Sequence, residues 1–242
     1  MLPCAITRSP SDGLPAAYRI FTVMQLAHYI DHTYLKPDCT EKVIDRIIAE
    51  SKEYGFKSIC IPPMYLQYAR DKAGERSFLL CTVAGFPIGY DHVEAKLASL
   101  RRSAALGAEE VDAVINLSAV KTGHWELTRQ ELTALNDTAK NSNVVLKCII
   151  EAQLLSEDEI MRICEISNEL RLPFVKTSTG FFGDPVREDT VRLLRRHLDP
   201  SIQIKASGGI STYNQATKMI RAGADRLGCS QSVAIVKENT QG

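Results

Sequence analysis

Lys176 stands in PFVKTSTGFFGDP, residues 173 to 185, a run that reads as a buried strand ending in a small-residue turn. An unpaired ammonium is costly in an apolar interior, so a lysine there is either ion-paired or held partly neutral. A neutral lysine is a nucleophile toward a carbonyl. On this stretch alone a second reading stands equally, an edge strand with Lys176 in solvent. Other residues shift that balance: Lys147 in NVVLKCIIE, Lys205 in IQIKAS, Asp112 in EEVDAVINL, and Asp31 closing a short strand near Tyr29. Three lysines on interior strands describe a cationic interior with carboxylate partners.

That arrangement specifies a chemistry. A second ammonium about 6 Å away repels the first by roughly 3 kcal/mol at an effective dielectric near 20, which raises the neutral fraction on the order of 100-fold. An imine formed on the neutral amine becomes, once protonated, an electron sink, so a C–C bond to the adjacent carbon breaks or forms. A nearby carboxylate moves the proton at carbon and oxygen, directly or through water, and Asp112 is the candidate.

The elements that must hold these residues follow a regular alternation. Apolar runs at 57–62, 77–85, 109–117, 143–151, 173–178, 202–207 and 225–230, with the short strand near Tyr29 to Asp31, give eight strands. Stretches of helical periodicity lie between them, among them EKVIDRIIAESKEYG, with Thr40 as its expected cap and Gly55 closing it. Near-continuous Val, Ile, Leu and Cys runs suit parallel strands covered on both faces. The expected fold is a single-domain (β/α)8 TIM barrel over residues 21–242, with an N-terminal helical extension and a loosely structured arm at 1–20. A doubly wound open sheet is the runner-up, weakened by the lack of a GxGxxG turn after the first strand.

A second signal is backbone chemistry for an anion. Ser207-Gly208-Gly209, read as opening the helix STYNQATKMIRAG, and Gly228-Cys229-Ser230 follow the last two strands, where barrels commonly build a phosphate pocket. Thr177, Ser178, Thr179 and Gly180 would add donors.

Composition excludes several classes. Twenty-nine basic residues balance 29 acidic ones among 242, so no net field attracts nucleic acid or an anionic membrane. No apolar run approaches the roughly 18 residues of a membrane span, and no leader pattern is seen, so a cytoplasmic protein is expected. Seven cysteines without a CxxC pair read as reduced core residues. The five histidines lack a metal-ligand spacing, and no metal or cofactor is expected; His92 and His124 read as surface residues and Trp125 as packing.

IDHTYLKPD, CTVAGFPIG, GAEEVDAVIN, LKCIIE, FVKTSTGF, IKASGGI and AGADRLGCS occur in order from residue 30 to 230. In these motifs the chain resembles the deoxyribose-phosphate aldolases of the shorter bacterial type. The resemblance implies a Schiff-base aldolase that reversibly cleaves 2-deoxy-D-ribose 5-phosphate to acetaldehyde and D-glyceraldehyde 3-phosphate. It implies that Lys176 forms the imine, that Lys205 beside it favours the neutral amine, and that Asp112 transfers protons through water. Asp31 and Lys147 would orient Lys205 and the substrate hydroxyls. Thr177, Thr179, Gly180, Gly208, Gly209 and Ser230 would complete the substrate site, and by analogy the chain would form a homodimer or higher homo-oligomer.

Departures fall at the phosphate end. Gln231 follows Ser230 where the family often has two serines, and Ser211 stands where an arginine is common. A Schiff-base aldolase for a different or unphosphorylated aldehyde is therefore the alternative, and a barrel retained as an interaction partner the third reading. Pro62-Pro63 replaces a more usual single proline, and the ending KENTQG lacks a terminal tyrosine, so no tail is expected to close over substrate.

Overall fold

A computed structural model describes residues 23–182 and 184–238. The expected arm at 1–20 and the last four residues lie outside that range.

All eight expected strands form: β1 (Ile30–Thr33), β2 (Ser58–Cys60), β3 (Leu79–Ala84), β4 (Glu110–Val114), β5 (Val145–Ile149), β6 (Phe174–Lys176), β7 (Gln203–Ser207) and β8 (Arg226–Cys229). Each pairs in parallel with the next, and β8 pairs with β1, closing the barrel and excluding the open sheet. The helices are α1 (Val23–Ala27), α2 (Glu41–Tyr54), α3 (Leu66–Ala73), α4 (Val93–Ala105), α5 (Leu117–Lys121), α6 (Trp125–Asn141), α7 (Glu157–Leu170), α8 (Glu188–His197), α9 (Tyr213–Ala222) and α10 (Ser232–Glu238). None of these is long and apolar enough to cross a membrane.

Local signals set the helix ends. Ser156 and Glu159 form a reciprocal capping box on α7, as Thr212 and Gln215 do on α9. Gly55 adopts the left-handed conformation, φ 70°, that ends α2. Thr40 occupies the expected cap position, yet its side chain makes no capping bond.

The period of two along each strand divides two environments. Val111, Ala113, Leu146, Cys148, Val175, Ile204, Ala206 and Leu227 join the core between strands and helices. Burial of each larger aliphatic side chain contributes roughly 1.5–3 kcal/mol. The alternate positions, Glu110, Asp112, Lys147, Lys176, Lys205 and Arg226, face one another inside the barrel, with Lys176 and Lys205 in register on neighbouring strands.

Candidate active site

Asp112 is the hub of this interior. Its Oδ2 accepts from Lys176 Nζ at 2.8 Å and from Lys205 Nζ at 2.7 Å. Its Oδ1 accepts from Lys147 Nζ at 3.1 Å and from the Cys81 thiol at 3.3 Å. Lys147 also donates to Glu110 at 2.7 Å, and Arg226 bridges Glu110 and Asp31. Lys205 Nζ lies 2.5 Å from Asp31 Oδ2, a close ion pair whose angles fall outside hydrogen bonding, leaving that oxygen without a hydrogen-bond donor.

The charges answer to this geometry. Burial raises the Asp112 carboxyl, but Lys147, Lys176 and Lys205 overcome it and hold Asp112 well below the ordinary aspartate range. Burial likewise raises Asp31, and Lys205, Lys147 and Arg226 bring it below its usual value. Lys205 and Lys147 are lowered by burial and then raised beyond it by their carboxylates, Asp112 foremost. Both stay charged.

Lys176 differs from the other cations in two respects. It has one carboxylate contact, whereas Lys147, Lys205 and Arg226 each have at least two. It also lines a cleft of about 430 Å³, to which Lys147 and Lys205, both fully buried, and Arg226, 6% exposed, contribute nothing. Four cations contact three carboxylates, so the cluster carries a surplus positive charge. A neutral amine at Lys176 removes that surplus. The picture of two bare ammonium groups is thus corrected: Asp112 sits between them and offsets their repulsion.

The cleft gathers most of the expected binding residues. Thr179, Gly180, Gly208, Gly209 and Ser230 line it, Gly180 close beside Gly208, together with the exposed Lys36, Ser211 and Gln231. Gly208 and Gly209 have φ of 103° and 71°, and a Cβ on Gly209 would stand 2.5 Å from Pro185. The pair does not open a helix as expected. Thr212 caps α9 and the helix begins at Tyr213, so the glycines form a loop before it. Thr177 stands apart from the cleft, fully buried, its hydroxyl donating to the Ser207 carbonyl and accepting from the Ser207 amide at 3.1 Å each. It ties β6 to β7.

Glu110 and Arg226 escape a reading of the sequence, although spacing could have found both. Glu110 is two residues before Asp112 on the same face, and Arg226 pairs in register with Lys205. His32 is also buried, held by Glu50 at 2.6 Å and Ser232 at 2.9 Å, where it links β1 to α2 and α10. His92 and His124 are exposed at the starts of α4 and α6, and half-buried Trp125 packs on the core. Cys39, Cys60, Cys81, Cys148, Cys164 and Cys229 are free thiols. Cys60, Cys81 and Asp112, like Asp31, Cys81 and Glu110, bring donor atoms within 4.8 Å of one another. Lysine and arginine cations already occupy the carboxylates of both sets, so an added dication would meet repulsion from them.

Comparison with known proteins agrees with this architecture. A deoxyribose-phosphate aldolase of Enterococcus faecalis is 41% identical over 217 residues, 90% of this chain and 98% of that protein. One from Caldanaerobacter subterraneus subsp. tengcongensis is 38% identical over 218 residues, 90% of this chain and 94% of its own. The solved tetrameric deoxyribose phosphate aldolase of Aeropyrum pernix superposes with a TM-score of 0.84 at 31% identity, covering 92% of this chain and 94% of that one. Residues 25–235 match the family model described as DeoC/LacD family aldolase. With a closed barrel, a lysine at the wall of its cleft and a family match over nearly the whole described chain, this protein belongs to the DeoC/LacD family of aldolases.

Proposed function

We propose that the protein is a class I, Schiff-base aldolase that reversibly cleaves 2-deoxy-D-ribose 5-phosphate to acetaldehyde and D-glyceraldehyde 3-phosphate. The observation that carries this reading is the position of Lys176, the cation of the buried cluster that reaches the cleft and has a single carboxylate contact. Its neutral Nζ attacks the substrate carbonyl, and loss of water gives a protonated imine. The C–C bond then breaks, its electrons entering the iminium while the hydroxyl on the departing carbon gives up a proton. The remaining enamine is protonated at carbon through water and Asp112, then hydrolysed to acetaldehyde. Lys205 keeps Asp112 ionised, and Asp31 and Lys147 hold Lys205 and Asp112 in place. The loop amides at Gly208 and Gly209, with Ser230 and Gly180, are assigned to the phosphate.

Ser211 and Gln231 at the rim of the cleft favour one second reading, an aldolase for an unphosphorylated aldehyde. Turnover of 2-deoxyribose 5-phosphate against the free sugar separates the two. A higher kcat/KM for the 5-phosphate is expected; preference for the free sugar would overturn the phosphate assignment. The same reading treats residues 21–242 as one domain with an arm at 1–20, places the enzyme in cytoplasmic deoxynucleotide and carbohydrate breakdown, and makes it a homo-oligomer, by analogy with the tetrameric relative.

A further inference from the structure

Glu151 lies just beyond β5 and takes no part in the cluster around Asp112. It is fully buried, with φ 48° and ψ 56°, a left-handed conformation that is uncommon outside glycine. Two backbone bonds flank it and pin it to the strand of Lys176: the Ile150 amide donates to the Lys176 carbonyl at 3.0 Å, and the Ala152 amide to Thr177 at 2.8 Å. Its Oε2 accepts from the Thr179 amide at 3.0 Å and from the Thr179 hydroxyl at 2.5 Å. Its Oε1 is buried without any hydrogen-bond partner. Burial raises the Glu151 carboxyl above the ordinary glutamate value, with Thr179 and Lys176 pulling the other way.

Thr179 connects this carboxylate to the reacting centre, since it lines the same cleft as Lys176. Its hydroxyl donates to Glu151 and accepts from the Phe181 amide at 3.1 Å, so the oxygen has one lone pair left and no proton to offer. Thr179 is therefore an acceptor for a substrate hydroxyl, and not the donor expected from the sequence. Asp112, which serves the carbon through water, has no direct reach to that hydroxyl. Both its oxygens are taken by lysines and a thiol, and it contributes nothing to the cleft wall.

We propose that Glu151, acting through the hydroxyl of Thr179, is the proton acceptor for the substrate hydroxyl when the C–C bond breaks. This rests on the Schiff-base reading above. In the cleavage direction the hydroxyl gives its proton to Thr179 Oγ as Thr179 passes its own to Glu151 Oε2. The C–C bond electrons move into the Lys176 iminium, leaving an enamine on the lysine and a carbonyl on the departing aldehyde. In the condensation direction the same proton returns to the new alkoxide. Thr179 is the group that touches substrate, and Glu151 is a positioning residue behind it that holds the proton. The orphaned Oε1 fits this task, because a buried carboxylate with an unsatisfied oxygen gains most from taking up a proton.

The division of labour gives a readout that a purely structural role would not produce. Exchange of the C2 protons of acetaldehyde with D2O, followed by NMR, needs imine and enamine formation but no substrate hydroxyl. Cleavage of 2-deoxyribose 5-phosphate needs both. Glu151→Gln should keep exchange within about twofold of the unaltered protein while cleavage falls on the order of 100-fold. Thr179→Val should show the same split, and Thr179→Ser, which restores the hydroxyl, should recover most of the cleavage lost in Thr179→Val. Equal loss of exchange and cleavage in Glu151→Gln, or retention of both, overturns the relay. Absence of exchange in the unaltered protein would instead overturn the Schiff-base reading, and the relay with it.

Discussion

Among the described residues two buried ionic clusters stand out, and one of them is suited to chemistry. Outside the barrel, Lys96 of α4 pairs with Glu131 of α6 at 2.6 Å, and its ammonium also donates to the carbonyls of Val114 and Gly89. The other oxygen of Glu131 accepts from the Asn116 amide at 2.8 Å. One cation meets one carboxylate, every oxygen and proton has a partner within reach, and the pair clamps the β3–α4 and β4–α5 loops together. Inside the barrel, four cations contact three carboxylates, and one of the four opens onto a cleft. Burial of a lysine is therefore no sign of catalysis in itself. Surplus charge together with access is.

The largest effect that sharpens this contrast is expected at Lys176. Lys176→Met keeps the aliphatic stem and removes the surplus cation, so kcat/KM should fall on the order of 10⁴-fold or more while the melting temperature holds or rises. A marked drop in thermal stability would mean that Lys176 serves the fold as Lys96 does. The converse applies to Lys96→Met, which leaves Glu131 buried and unpaired. It should cost about 3–5 kcal/mol of stability in denaturant unfolding, with kcat of the folded enzyme little changed.

Gly209→Ala probes access without charge. The residue has φ 71°, and the new methyl would meet Pro185 at 2.5 Å, so a loss of about 1–2 kcal/mol and a raised KM for the phosphorylated sugar are expected, with kcat nearly kept. A KM equal to that of the unaltered protein would remove Gly209 from the substrate site.

The smallest effect is in pH. Asp31 is held below its unfolded value, so its ionised form stabilises the fold fully above about pH 4, and this contribution declines as pH falls toward the folded value. The stability gap between the unaltered protein and Asp31→Asn should therefore narrow by about 1 kcal/mol between pH 5 and pH 3. A gap independent of pH would show that Asp31 contributes by shape alone.

The strands were legible because their signal is local. Continuous apolar runs separated by amphipathic stretches specify a parallel sheet, and polar residues breaking those runs at Asp112, Lys147, Lys176 and Lys205 stand out. Lys96 does not. In VEAKLASLRR it reads as one of several charges on a helix, and its burial depends on loop carbonyls and a glutamate 35 residues away. Glu151 is hidden for a related reason: its partner Thr179 is 28 residues away, and its left-handed backbone leaves no mark in the pattern of strand or helix. Thr40 and the Gly208-Gly209 pair show the opposite failure. The right residue type stands near the right place, but the capping bond is absent at Thr40, and the helix after the glycines starts at Tyr213, two residues later than expected and four beyond Gly209.

The central claim is that surplus charge and access select one buried lysine out of four. Reductive trapping tests it most directly: the protein is incubated with acetaldehyde, reduced with borohydride, and mapped by peptide mass spectrometry. A reduced two-carbon adduct on Lys176, absent from Lys96, Lys147 and Lys205 and lost in Lys176→Met, is the predicted result. An adduct on Lys205, or none on any buried lysine, would contradict it.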